Sequence, residues 1–160
     1  MRVSTAALAC VLAACLAAGC SDAVDLSRSL EIQTIASGWI DAGVVEGKRR
    51  ILPTLSFTVK NTSGKTLPLL QVNALFGRVG DEDEWGSSYL TAAGREGLAP
   101  GASSALTATS QLGYTGFDSR AEMLANSQFV DARVDLLAKY GSTQWTRLGR
   151  YKVDRSLLAR

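Results

Sequence analysis

Between residues 130 and 140, Val130, Ala132, Val134, Leu136, Ala138 and Tyr140 take one parity of the chain, and Asp131, Arg133, Asp135 and Lys139 take the other. A helix turning every 3.6 residues would scatter this pattern around its circumference, whereas a strand sends successive side chains to opposite faces and sorts them. The segment therefore reads as a strand with one face in a core and the other in water. Acids alternating with bases on the wet face suit cross-strand pairing and discourage edge aggregation. Ile51, Leu55, Phe57 and Val59 alternate in the same way with Thr54, Ser56, Thr58 and Lys60, and Leu70, Val72, Ala74 and Phe76 repeat the pattern.

Turn-forming groups separate these runs: Asn61-Thr62-Ser63-Gly64, Gly80-Asp81-Glu82-Asp83, Ala99-Pro100-Gly101 and Tyr140-Gly141-Ser142. Short strands at such regular spacing indicate a sandwich or barrel. Strands are expected near Leu30 to Thr34, Trp39 to Val45, Ile51 to Asn61, Leu69 to Arg78, Trp85 to Ala92, Ala102 to Ser110, Phe129 to Tyr140 and Gln144 to Val153. Ser119-Arg120-Ala121-Glu122 has capping-box spacing and predicts one short helix running through Met123 and Leu124 to Asn126. A chain of 160 residues suffices for one compact domain. The expected fold is all-β: an immunoglobulin-like antiparallel β-sandwich of about seven to eight strands over residues 30–160, with one short helix between late strands.

The N-terminus has a different character. Between Arg2 and Asp22 there is no charge, and 3–19 is mostly Ala, Leu and Val, the layout of a signal peptide. The run ends Leu16-Ala17-Ala18-Gly19-Cys20-Ser21, which resembles the lipobox of bacterial lipoproteins. That resemblance implies a signal peptide over 1–19, a diacylglycerol thioether and an N-acyl chain on Cys20, and a polar tether over 20–29. Leu12-Ala13-Ala14-Cys15 is a second match and makes Cys15 the alternative, although cleavage there would leave an apolar stub. An uncleaved anchor or an ordinary cleaved signal is the other reading of the same run. Ser21 resembles an outer-membrane sorting signal, so the expected location is the periplasmic face of the outer membrane. All three cysteines, Cys10, Cys15 and Cys20, precede the domain, which must then stand on its core without disulfides.

One stretch of the domain carries a further likeness. A strand ending Val59-Lys60-Asn61, a Ser-Gly turn, an alternating strand into Leu75-Phe76, an acidic turn and Leu98-Ala99-Pro100-Gly101 follow in order over roughly residues 50–110. This resembles the small immunoglobulin-like domains of bacterial envelope lipoproteins, the FxLYD type among them, with Phe76-Gly77 standing where that type has Tyr-Asp. The resemblance implies a fold and an envelope setting, and brings no catalytic residues with it.

The chain has no His, and past Cys20 no Cys, which removes Ser-His-Asp and thiol catalysis, ordinary zinc sites and haem ligation together. Gly64-Lys65-Thr66 lacks the earlier glycine of a P-loop and precedes a strand, and Gly101-Ala102-Ser103-Ser104-Ala105 lacks the second glycine of a nucleophile elbow. No cofactor is expected. Asp81-Glu82-Asp83-Glu84 offers hard oxygen ligands, with Asp81 and Asp83 the candidates for calcium, but consecutive acids at a hairpin tip point apart. Lys and Arg number 17 against 15 Asp and Glu, giving no electrostatic case for nucleic acid.

Two groups remain as candidates for binding a protein partner. The segment Gly113 to Asp118 reads as a flexible loop presenting Tyr114 and Phe117 as aromatic anchors. Arg147, Arg150 and Lys152, continued by Arg155 and Arg160, form a basic strip that suits a protected edge strand or an anionic headgroup. The functional expectation is a lipid-anchored, non-catalytic interaction or accessory module of the envelope. The alternative is a calcium-dependent binder of carbohydrate or another ligand, or an enzyme using a carboxylate pair.

Overall fold

A computed structural model describes residues 23–159. The expected signal peptide and lipidation site, with Cys10, Cys15 and Cys20, lie outside the described residues, as does Arg160. The elements are α1 (Leu26–Ser29), β1 (Leu30–Val45), β2 (Lys48–Asn61), β3 (Gln71–Arg78), β4 (Glu84–Thr91), β5 (Ser103–Thr109), β6 (Tyr114–Gly116), α2 (Arg120–Ala125), β7 (Ala132–Lys139) and β8 (Thr146–Lys152). They form two antiparallel sheets, one ordered β1-β2-β5 with β6 also on β2, the other ordered β4-β3-β7-β8. This is the immunoglobulin-like sandwich, with its longer helix between β6 and β7.

The apolar parities meet between the sheets. Ile51, Leu55, Phe57 and Val59 of β2, Val72, Ala74 and Phe76 of β3, and Ala132, Val134, Leu136 and Ala138 of β7 are all fully buried. Ser119 caps α2 as its spacing predicts: its hydroxyl accepts from the Glu122 amide, and the Glu122 carboxylate accepts from the Ser119 amide. Hydrogen bonding of the Glu122 carboxyl to the Ser119 hydroxyl and to the Ser119 amide holds it below its usual range.

Three features depart from expectation. The strands expected at 30–34 and 39–45 are one strand, interrupted by a bulge. Thr34 pairs with Phe57 and Ala36 with Ser56, leaving Ile35 without a partner. One extra residue reverses the parity of everything after it. Leu30 and Ile32 pack inward before the bulge, and Ser37 and Trp39 are buried after it. The Gly113 to Asp118 segment is not wholly a loop, since β6 pairs Tyr114 with Ile51 and Gly116 with Arg49. The stretch read as tether is docked from Val24 onward: the Val24 amide donates to the Tyr140 hydroxyl at 2.7 Å, and Leu26 in α1 is 1% exposed.

The C-terminal tail closes the sandwich along β1. Beyond β8 the chain crosses to the other sheet, where the Trp39 amide donates to the Ser156 carbonyl at 2.8 Å and the Leu158 amide to the Trp39 carbonyl at 2.9 Å. The Ser37 hydroxyl donates to Asp154 and accepts from its amide. The approach requires Gly38, because a Cβ there would lie 2.7 Å from the Ser156 carbonyl oxygen. Main-chain groups at this sheet edge are thereby paired within the molecule.

Candidate interaction surface

The outer face of the β4-β3-β7-β8 sheet is built around one carboxylate. β7 is an inner strand of the sheet, and its outward residues Arg133 and Asp135 are each only 7% exposed. The face that reads as solvated in the sequence is therefore largely covered here, and ion pairing explains how. Asp135 accepts from Arg133, Arg147 and Arg150, the last through Nε at 2.8 Å and Nη2 at 3.1 Å. Glu82 approaches Arg150 at 3.5 Å. Asp131 serves Lys152 at 2.7 Å and also Arg155. Five cations thus share three carboxylates, and with Glu84 beside them the surface keeps a surplus of one positive charge.

Burial pushes the Asp135 carboxyl up, but hydrogen bonds from Arg150 and Arg147 and their charge more than offset it, holding it below the usual range. Asp131 follows the same balance with Arg155 and Lys152. The bond from Asp135 in turn raises Arg150 above its ordinary value.

Backbone irregularity assembles this cluster. Arg147 and Arg150 are three apart, so a regular strand would send them to opposite faces. Leu136 pairs with Gly149 and Leu137 with Arg147, so Leu148 is the extra residue and turns Arg147 onto the face of Arg150 and Lys152. On β3, Gly77 makes room for Arg133, whose Cζ would lie 2.8 Å from a Cβ there. The Asp135 part of the cluster, with Leu75, Leu137 and Glu84 beside it, lines a shallow hollow of about 270 Å³.

The acidic turn is engaged with its own surroundings. The Asp81 carboxylate accepts from the Asp83 amide at 3.0 Å, and the Asp81 carbonyl accepts from Arg133 Nη2 at 2.8 Å. Among the described residues no three Asp, Glu, His or Cys side chains gather where they could hold a metal ion.

Tyr114 and Phe117 are separated in role. The Tyr114 ring stacks with Phe129 at 4.6 Å and meets Trp85 at 5.1 Å and Trp39 at 5.6 Å, and its hydroxyl donates to the Val130 carbonyl at 3.0 Å. Its glycine neighbours serve this packing, since a Cβ at Gly113 would lie 2.0 Å from the Ile51 carbonyl oxygen. Trp39 is fully buried in the cluster, and its indole N–H has no acceptor among the described residues. Phe117, by contrast, is 72% exposed and lies under the Lys48 ammonium at 5.4 Å. The two aromatic residues therefore do not form one exposed pair, and neither joins Arg147, Arg150 and Lys152.

Sequence reasoning missed Arg133 and Asp135 as the centre of a polar cluster. Their signal is an opposite-charge pair two residues apart within the most apolar strand, which places both on one face of an inner strand. Scanned against protein-family models the chain matches none, and a search of curated proteins returns no match. No helix among the described residues is long and apolar enough to cross a membrane.

Proposed function

We propose that the chain is a lipid-anchored envelope protein and a non-catalytic interaction module, and that it receives a protein partner on the outer face of the β4-β3-β7-β8 sheet. The arrangement of Arg147, Arg150 and Lys152 around Asp135 and Asp131 supports this reading. Long cationic side chains ordinarily lose rotamer freedom on binding, and here internal carboxylates have already fixed their positions. The surplus charge favours a partner with an acidic patch and steers its approach. The envelope setting and the lipid on Cys20 follow from the lipobox and FxLYD-like resemblances.

Photocrosslinking in cells tests the surface, with the reactive residue at position 147, 152 or, on the exposed side of β1, 31. The expected result is one shared protein adduct from 147 and 152 and none from 31. Adducts from 31 or from 117, with none from 147 and 152, would overturn it. Metabolic labelling with a clickable fatty acid tests the anchor. Label is expected to vanish in Cys20→Ala, and loss confined to Cys15→Ala moves the lipid to Cys15.

A further inference from the structure

We infer that the end of the sandwich carrying the β7–β8 turn rests on the lipid bilayer, with Trp145, Tyr89 and Leu69 at headgroup level. The inference rests on the proposed lipid at Cys20 and adds to it the orientation of the domain. The described residues begin at this end, where the Val24 amide bonds the Tyr140 hydroxyl and buried Leu26 follows. From the Cys20 Cα to the Val24 Cα there are four residue steps, which span at most about 14 Å when fully extended. A lipid on Cys20 therefore holds the Tyr140 end within that distance of the bilayer surface and leaves little room for another protein between them.

The side chains at this end have the chemistry of an interface. Trp145 is 37% exposed, Leu69 44% and Tyr89 56%. The Tyr89 and Trp145 rings meet edge to face at 5.8 Å, and the Lys139 ammonium stands 4.9 Å over the indole. The Gly141 amide donates to the Pro68 carbonyl at 3.1 Å, which brings the β2–β3 loop and Leu69 beside the β7–β8 turn. Leu69 has φ of +51°, a left-handed conformation unfavourable for a leucine, and the strained backbone holds an apolar side chain outward. Aromatic rings with polar tips, one aliphatic side chain and an ammonium able to reach phosphate are what a headgroup layer accepts.

The opposite end also bears exposed apolar groups, Phe117 with Val44 and Val45 beside Lys48, so the entry of the chain from Cys20, and not apolar exposure alone, selects the Tyr140 end. Phe117 follows the Arg49–Gly116 pair near the start of β2, whereas Thr62, just past the end of β2, bonds Ser29 beside the incoming chain. Phe117 is therefore a control site at the far end of a strand of 14 residues.

The full chain, isolated with its native modification, is reconstituted into phosphatidylcholine–phosphatidylglycerol vesicles carrying a headgroup-proximal spin-labelled lipid that quenches tryptophan. Mass spectrometry of the same sample reads the state of Cys20. The expected result is partial quenching in the wild type, lost in Trp145→Phe, with added quenching in Leu69→Trp and none in Phe117→Trp. Acylated Cys20 without quenching, or quenching unchanged by Trp145→Phe, overturns the orientation while leaving the anchor in place. A Trp145 shielded from both the lipid quencher and aqueous acrylamide marks a protein on this end and also overturns it. An unmodified Cys20 overturns the anchor, and the orientation falls with it.

Discussion

The Asn61 side-chain nitrogen donates to the Leu98 carbonyl at 2.8 Å, joining the end of β2 to the loop between β4 and β5. The same nitrogen donates to Lys65 at 2.8 Å, and the Asn61 side-chain oxygen accepts from the Ser63 amide and hydroxyl, so a fully buried amide has every group satisfied. Asn61→Ala removes both inward bonds, while the Leu98 carbonyl keeps the Leu67 amide and the Lys65 carbonyl keeps the Ser63 hydroxyl. At about 0.5–1.5 kcal/mol for each lost bond, the variant is expected to lose about 1–3 kcal/mol in urea unfolding. A loss within error of zero would show that water replaces the amide.

Acid should release the Asp135 cluster. Asp135 and Asp131 are depressed in the folded protein, so near their titration the unfolded chain binds more protons and stability rises with pH. Their contribution is complete above the unfolded carboxyl value of about 3.9 and disappears as pH falls through the lower folded values. Asp135→Asn should melt lower than wild type near neutrality and show a shallower fall in Tm below about pH 4. Parallel Tm–pH curves for the two proteins would mean that Asp135 does not carry the acid sensitivity.

Tyr114 and Phe117 should behave oppositely on truncation. Tyr114→Ala removes a half-buried ring from the Trp39 cluster and the bond to Val130, for a loss of about 2–3 kcal/mol. Phe117→Ala is expected to stay within about 0.5 kcal/mol, as surface changes do. Chemical denaturation of the single variants separates them. A silent Tyr114→Ala would mean that the cluster repacks around the gap.

Calcium should find little purchase at the acidic turn. Asp81 already receives the Asp83 amide, Arg133 holds its carbonyl and Glu82 faces Arg150, so a cation would have to displace existing donors. Calorimetric titration is expected to give no saturable heat tighter than about millimolar, the weak end of extracellular calcium modules. Saturable binding lost in Asp83→Asn would place a site there after all.

What the sequence discloses and what it hides divide on a physical line. Parity alone places Val134 and Leu136 in the core, and a four-residue spacing alone places Ser119 and Glu122 at a helix start, because each depends on neighbours along the chain. The bulges at Ile35 and Leu148 are invisible, since an extra residue is defined by the register of a partner strand. Those bulges decide that Trp39 faces inward and that Arg147 joins Arg150. Burial of Arg133 is hidden for a similar reason, because a charge enters a covered face only when remote groups such as the Asp81 carbonyl and the absent side chain of Gly77 receive it. Tyr114 misleads in the same way: its flanking glycines suggest a mobile tip, and the use of Gly113 is the close passage of the chain along Ile51.

The pairing of Trp39 with Ser156 and Leu158 sets a clock on folding. Those contacts span more than a hundred residues, so loop closure must be completed across nearly the whole chain before β1 is sealed. A chain emerging N-terminus first displays the β1 edge at Trp39 until Ser156 and Leu158 arrive, and during that interval another strand can compete for the same main-chain groups. Truncation before Ser156 would make that interval permanent. A segment made after every strand of the sandwich is thus the one that retires the nascent β1 edge.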